Sequence, residues 1–578
     1  MSSEQTSAAV AIRTTQRAPR SCISCSSRKV KCDKSIPCGS CVRRGQSDMC
    51  MRELVMVRGE ITTYKDAPQL PTYEQLRREN EQLRHSLQTI KVQNARSQSP
   101  SAPEPLNTPV TSLYQFQQKR LLNQDIDELE RKLWNNLSNN PPAGRLVVSS
   151  WSDLVLPSQI CSEHLINYDE RWNSWVHYAL EYPRFWGECD SFMAAMSSGA
   201  RLEQWDASWM AVYFSVLSAA LLMMNDEEAE NLTLHESLDH RFLSRMWYSA
   251  AIFCLHRSSF MEVPSLRSVQ AIAILGICFN NFGDSDLGQH MRSCAIRIAQ
   301  KIGLDTPYSE YAAKYLTKEA QHRLWWTLVI CEWLGNPCHP VAFDEIDFNV
   351  PFPKTDLSHE MTEHGSNQEH PVHYHIFMAK TACAFHRFRQ AVRSAVTLED
   401  TIYAVRTADD RLARVIDTLP AHLQPDMANG SEQERLDYIE QTKPWVIWQR
   451  FDVTLVLLHL RIHVHRILQD QWVQDRDGNE FDWAKNISIM SAKSIIWIND
   501  NWNQPASMRN QWALSYHIFT SANLLVCECQ IMKDAYDGEY NEVIQAALGF
   551  LDRVRSRNQL AYHAFWVLQH QVDKLGIV

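Results

Sequence analysis

Beyond about residue 150, hydrophobic positions recur mostly at helical spacing. Leu266, Val269, Ile272, Gly276 and Phe279 form one stripe of a predicted helix over 266–279, and Leu287, Met291, Cys294 and Ile298 form another over 287–302. Residues 242–256 carry the same period, and it resumes from His373 to about residue 572. Such stripes are first of all core faces. The chain is therefore read as mainly α, with 151–578 one large all-helical body. A further helix is predicted over 113–137, with Ile126, Leu129 and Leu133 on one face, inside a 96–150 linker that holds Pro100, Pro103, Pro105 and Pro109. The uncharged run from Ala207 to Met224 contains Ser208, Tyr213, Ser215 and Ser218 and falls short of the ~20 apolar residues of a spanning helix. It is predicted to be a buried core helix, and no membrane partner is expected.

A different period governs 72–95. Tyr73, Asn80 and Leu87 recur every seven residues, and Leu76, Leu83 and Ile90 do the same three positions later. This is an a/d heptad pattern, and an Asn at an a position favours a parallel, in-register pair. Thr72 opens it with a Thr-x-x-Gln capping box. The segment lies between two linkers, 53–71 and 96–150, so a homodimeric coiled coil is preferred over a helix packed on its own chain.

Composition adds a polarity. Net charge is −10, but residues 1–52 hold ten Lys/Arg against three Asp/Glu, leaving the remaining chain at −17. A basic end on an acidic body fits a polyanion-binding module tethered to a body that does not touch nucleic acid. Residues 1–21 read as a disordered basic tail without an apolar signal segment. Only 17 glycines are present, which favours helix over Gly-loop nucleotide folds.

The chemistry is concentrated at 22–52. Six cysteines, Cys22, Cys25, Cys32, Cys38, Cys41 and Cys50, form two Cys-x-x-Cys pairs, each followed by one more cysteine. In a reducing compartment these are thiolates rather than disulfides. Zinc takes four thiolates, and six can serve two ions only if two sulfurs are shared. Arg28, Lys29 and Lys31 give the first half a cationic face. The other ten cysteines are scattered and read as small core residues.

This stretch closely resembles the fungal zinc binuclear cluster family of transcription factors. The cysteine spacing matches, as do Arg28-Lys29, Lys31, Asp33, Pro37 and Val42-Arg43-Arg44-Gly45. The resemblance implies two Zn2+ ions per chain, bridged by Cys22 and Cys38. It implies that the first short helix enters the DNA major groove, with Lys29, beside Arg28, reading CGG-like triplets. Lys or Arg suits guanine O6 and N7, while Lys31, Arg43 and Arg44 would hold phosphate. Many relatives carry a basic residue where this chain has Ser26. Strings in the body resemble the family's fungal-specific transcription factor middle domain: Cys294 to Leu304, His322-Arg-Leu-Trp-Trp326, Asp344 to Pro351 and His463-Val-His-Arg466. After Trp326 the pattern departs, with Glu332 and a short Gly335-Asn-Pro337.

No phosphate loop, dinucleotide fingerprint or nucleophile elbow occurs. His459 and His463, one turn apart, lack the Glu of a metalloprotease helix and read as packed or surface histidines rather than metal ligands. Asp534 to Glu542 reads as a loop between helices rather than an acidic activation patch. The chain is thus expected to be a nuclear, sequence-specific DNA-binding homodimer and no enzyme. Co-regulators or a small effector would act on its body, and pathway-specific activation of RNA polymerase II transcription is the output the resemblance favours. The rival readings are a zinc-module adaptor and an enzyme on the helical body.

Overall fold

A computed structural model describes residues 13–14, 21–34, 38–46, 50–51, 55–57, 60–62, 124–139, 148–232, 239–335, 341–354, 370–424, 442–443, 445–475, 480–501, 506–532, 536 and 538–576. The chain falls into two compact units, Met1–Thr72 and Tyr73–Val578. The heptad residues Tyr73, Leu76, Asn80, Leu83, Leu87 and Ile90 lie outside the described residues.

The first unit is built on β1 (Arg13–Thr14), α1 (Ile23–Ser27), α2 (Gly39–Val42), β2 (Val55–Val57) and β3 (Glu60–Thr62). The strands form one sheet in the order β1-β2-β3, with β1 parallel and β3 antiparallel to β2. No strand is predicted in the segments read as tail and linker. Two- and three-residue strands are too short to display a period of two.

The second unit is helical. Its helices include α3 (Gln124–Asn139), α4 (Gln159–Tyr168), α5 (Tyr182–Ser197), α6 (Ala207–Met223), α7 (His240–Arg257), α8 (Leu266–Leu275), the single turn α9 (Phe279–Phe282), α10 (Ser285–Lys301), α11 (Lys318–Trp333), α12 (Val372–Ser394), α13 (Leu398–Asp417), α14 (Trp445–His465), α15 (Asp482–Asn501), α16 (Trp512–Met532), α17 (Asn541–Val554) and α18 (Gln559–Leu575). Helix α6 is the centre of the first half and packs on α4, α7 and α8. It starts where the Asp206 carboxylate accepts from Ser208 N at 2.9 Å, and nearly every one of its residues is buried. The expected buried helix is therefore present; among the described residues no helix is long and apolar enough to cross a membrane.

The helix predicted over 266–279 breaks at Gly276, and α9 follows as a separate turn. The stripe predicted for 287–302 is rotated by about one position. Met291 and Ile298 are buried as expected, but Gly288 and Ala295 complete the core face while Leu287 and Cys294 lie half-buried. The cause is Gly288: a Cβ there would stand 2.7 Å from the Phe279 ring, so the two helices touch where only glycine fits.

Helix α3, read from sequence inside a linker, packs against α16 and α18. Leu129, Leu133, Trp134 and Leu137 are buried, and so is Glu130. The Glu130 carboxylate accepts from Arg466 Nη1 at 3.1 Å, Thr520 Oγ1 at 3.3 Å and Tyr516 OH at 3.5 Å. A buried carboxylate is tolerated only when paired in this way. The strings His322–Trp326 and Asp344–Pro351 also converge. Trp326 Nε1 donates to Pro351 O at 2.8 Å, Trp325 packs on Phe343 and Phe348, and His322 Nε2 bonds Pro307 O at 2.9 Å. The loop ahead of α17 is tied down by Tyr536, whose hydroxyl donates to Asn541 Oδ1 at 2.7 Å and accepts from Tyr540 N at 2.8 Å.

Candidate metal centre and nucleic-acid interface

Six cysteine side chains form a core of their own in the first unit, all of them buried. Cys22 and Cys38 sit at the N-caps of α1 and α2 with extended backbone, so each helix begins on a sulfur. Cys25 and Cys41 lie one turn into the helices and point back to the same centre.

The two halves are conformational copies. In the first, Lys29 N donates to Ser26 O at 3.1 Å and Val30 N to Cys25 O at 3.1 Å; in the second, Gly45 N donates to Val42 O at 2.9 Å and Gln46 N to Cys41 O at 3.0 Å. Lys29 and Gly45 occupy matching positions, and both are left-handed, with φ of +52° and +67°. The first half thus ends in a Schellman motif, a cap that usually employs glycine. A lysine placed there carries a backbone cost of about 1–2 kcal/mol, at the residue to which the family resemblance would give the base contact.

The sulfur geometry fits a metal cluster. Cys22, Cys25, Cys32 and Cys38 form one tetrad, and Cys22, Cys38, Cys41 and Cys50 another, with all ligand atoms of each within 4.8 Å of one another. Cys22 and Cys38 belong to both. Sulfur separations are 3.8 Å for Cys22–Cys38, 3.8 Å for Cys22–Cys41 and 3.5 Å for Cys25–Cys38. Tetrahedral zinc with Zn–S bonds of ~2.3 Å needs sulfurs roughly 3.8 Å apart. Burial pushes the Cys25 thiol up to about 11 and raises Cys22 and Cys41 too. At Cys38 burial works in the same direction, but hydrogen bonds from the Cys41 backbone and thiol outweigh it and hold the group at about 6. Such a set of crowded thiols calls for a cation to keep it ionised.

The basic residues divide into two kinds. Arg28 turns inward: its Nε donates to Ser24 O at 2.7 Å, Nη1 to Gln46 Oε1 at 3.5 Å and Nη2 to Cys41 Sγ at 3.5 Å. It crosses from one half to the other and places positive charge against the Cys41 sulfur. Lys29, Lys31, Arg43 and Arg44 are exposed. Asp33 Oδ2 accepts from Gly39 N at 2.6 Å, capping α2 from the first half. Neither the Arg28–Cys41 nor the Asp33–Gly39 contact is visible in the sequence, because each crosses between halves that sequence reads separately. A basic residue beside a cysteine motif is the only hint.

In the body, the His459 ring centroid lies 4.4 Å from that of His463 and 4.2 Å from that of His517, beside Tyr516. Burial depresses all three below the usual histidine range, to about 3 for His517. They are packed neutral rings, the buried one of the two alternatives, packed or surface, that the sequence leaves for His459 and His463. Among the described residues, the only groups of three or more side chains placed to hold a metal are the two cysteine tetrads.

Comparison with known proteins agrees with this layout. Residues 20–53 match the fungal Zn(2)-Cys(6) binuclear cluster domain, and 176–425 match the fungal specific transcription factor domain. The agnestins biosynthesis cluster transcription factor AgnL11 of Paecilomyces divaricatus is 18% identical over 582 aligned residues, 91% of this chain and 80% of its own length. The transcriptional regulator AacuB of Aspergillus aculeatus is 28% identical over 120 residues, 21% of this chain. A component of the centromere DNA-binding protein complex CBF3 of Saccharomyces cerevisiae is 48% identical over 46 residues, 8% of this chain. These last two matches span only 16% and 8% of the relatives' own lengths.

Proposed function

We propose that this chain, a transcription factor of the fungal Zn(2)-Cys(6) class, binds two zinc ions and reads paired CGG-like triplets as a homodimer in the nucleus. The observation that carries the reading is the pair of cysteine tetrads sharing Cys22 and Cys38, with a lysine held in a glycine conformation at the end of the first helix. When bound, zinc supplies cross-linking and charge: two dipositive ions against six thiolates leave a formal −2. Arg28 offsets part of that charge from its place on Cys41, so Lys29 is the leading base contact and Arg28 a positioning residue beside it. Lys31, Arg43 and Arg44 lie on exposed backbone where phosphate is reached without regard to sequence.

A single module covers about one triplet and is poorly selective. The heptads at 72–95, with Asn80 at an a position, supply a second copy in register and set the half-site spacing. The acidic body then acts on this reader through a co-regulator or small effector, as a pathway-specific activator.

The test is selection of bound sequences by the full chain from a randomised duplex pool, with and without a zinc chelator. Paired CGG-like triplets are expected, and they disappear on chelation; no enrichment at any spacing defeats the proposal. Lys29→Gly separates reading from folding, because Gly45 already occupies the matching position. This variant should keep its metal and lose about 1–3 kcal/mol of base discrimination. Arg43→Ala should weaken binding to all duplexes alike and lower the salt dependence by about one counterion. If Lys29→Gly retained full sequence preference, another residue reads the bases.

A further inference from the structure

Arg28 follows α1 as its C-cap, just ahead of the left-handed Lys29. Each of its three guanidinium nitrogens meets an acceptor. Nε returns to Ser24 O, four residues back in the same half of the module, at 2.7 Å. Nη1 reaches Gln46 Oε1 at 3.5 Å and Nη2 reaches Cys41 Sγ at 3.5 Å, both in the second half. The head is anchored on one half by its shortest contact and aims the other two across the divide. A guanidinium presents such a planar fork; an ammonium is a point charge.

Cys41 is not a shared sulfur. It belongs to the tetrad with Cys22, Cys38 and Cys50, and the tetrad of Cys22, Cys25, Cys32 and Cys38 does not contain it. A thiolate serving one dipositive ion keeps more negative charge than one serving two, and so gains more from a positive donor. Backbone amides serve other sulfurs of the cluster: Cys25 N donates to Cys22 Sγ at 3.4 Å, and Cys38 N to Cys50 Sγ at 3.2 Å. Those donors are present whatever the side chains. The donor on Cys41 is a charged side chain, and a charge-assisted hydrogen bond is roughly twice as strong as a neutral one. Groups that bond the ligands of a metal orient them and tune their basicity.

We propose that Arg28 is the positioning residue of one ion: it holds the Cys41 thiolate on the metal bound by Cys22, Cys38, Cys41 and Cys50, and so locks the second half of the module onto the first. This role presupposes the two-ion reading proposed above and makes the two ions unequal. The ion that Cys41 ligates depends on Arg28, and its neighbour does not.

The test is zinc transfer from the fully loaded chain to 4-(2-pyridylazo)resorcinol, whose colour change counts the ions released. The parent is expected to give up two equivalents. Arg28→Gln should hold one of them about 10–100-fold more weakly, the usual cost of losing a partner of a metal ligand, and the other as the parent does. Arg28→Lys keeps the charge without the fork and should weaken the same equivalent. Two backgrounds identify the ion. Cys32→Ser leaves Cys22, Cys38, Cys41 and Cys50, and there the remaining ion should show the full effect of Arg28→Gln. Cys50→Ser leaves Cys22, Cys25, Cys32 and Cys38, and there the effect should vanish. Early release of both equivalents from Arg28→Gln would make Arg28 a general support of the fold and overturn the role. So would full retention by Arg28→Lys, or equal effects in the two backgrounds. The six-cysteine measurements decide even if a single-ion background fails to hold metal. A parent that holds one equivalent or none defeats the two-ion reading and this role with it. A parent that holds two, with an Arg28→Gln protein indistinguishable from it, defeats the role of Arg28 alone.

Discussion

Replacing Cys38 by serine is expected to abolish both of the proposed zinc sites of the N-terminal module and reduce DNA binding to its non-specific level. Cys38 belongs to both tetrads, so its loss leaves neither with four sulfurs. Cys32 belongs to one tetrad, and Cys32→Ser should lose one ion and keep Cys22, Cys38, Cys41 and Cys50 on the other. The energetic stake is large. Structural zinc contributes about 10–16 kcal/mol to the folding of small modules, and here the buried core is the six cysteines themselves. With the metal gone, crowded thiols and two helices of five and four residues remain, too short to persist alone. Specific binding should fall by about 10³-fold or more, the usual margin over non-specific contact. Metal per chain, measured by mass spectrometry, decides the point. A body control, Cys254→Ser, removes an equally buried thiol outside both tetrads and should retain full metal. If Cys38→Ser and Cys32→Ser kept the same metal content, the shared-sulfur assignment would be wrong.

The module is legible in the sequence because its chemistry is local. Cysteine intervals decide which sulfurs can meet, and the doubled half-motif appears in the structure as two matching helix caps. What intervals cannot carry is the left-handed backbone at Lys29 or the inward turn of Arg28 onto Cys41, since both depend on how the halves face each other. In the body, stripes reveal helices but misplace their details. The 266–279 stripe runs on through Gly276, where the helix stops, and the 287–302 stripe misses the close approach of Gly288 to Phe279. Helix α3 reads as part of a linker because its flanks are proline-rich; the pairing of Glu130 with Arg466, 336 positions later, has no local signature. A cleft lined by Arg245, Asn281 and Arg557 is invisible for the same reason, since these residues come from three separate helices or their ends.

Acidification from about pH 8 to about pH 5 is expected to lower the stability of the body by about 3 kcal/mol or more. Burial holds His375 and His517 at about 3, with Arg323 adding to the effect at His375. His459, His463 and His465 are depressed by burial as well. The rings have little to offer a second proton: the Nδ1 atoms of His375, His459 and His517 are buried and unpartnered among the described residues. In the unfolded chain each histidine titrates near ~6.5. Below that value the unfolded state binds protons that the folded state refuses, so stability falls with pH, by about 2 kcal/mol per such histidine at pH 5. Asp452 works in the opposite sense. Burial raises its carboxyl to about 6, against hydrogen bonding from Tyr374, so it stabilises the fold below that value and recovers about 1.4 kcal/mol. His375 and His517 alone exceed this, and the other three add to them. All 19 tryptophans lie beyond residue 133, so fluorescence melting reports the body without interference from metal loss at the N-terminal module. The denaturation midpoint should fall steadily from about pH 7 downward, and His517→Asn should flatten that fall by about 2 kcal/mol. A midpoint constant from pH 8 to pH 5 would mean that these rings take up protons in the folded state, and the packed neutral cluster would have to be abandoned.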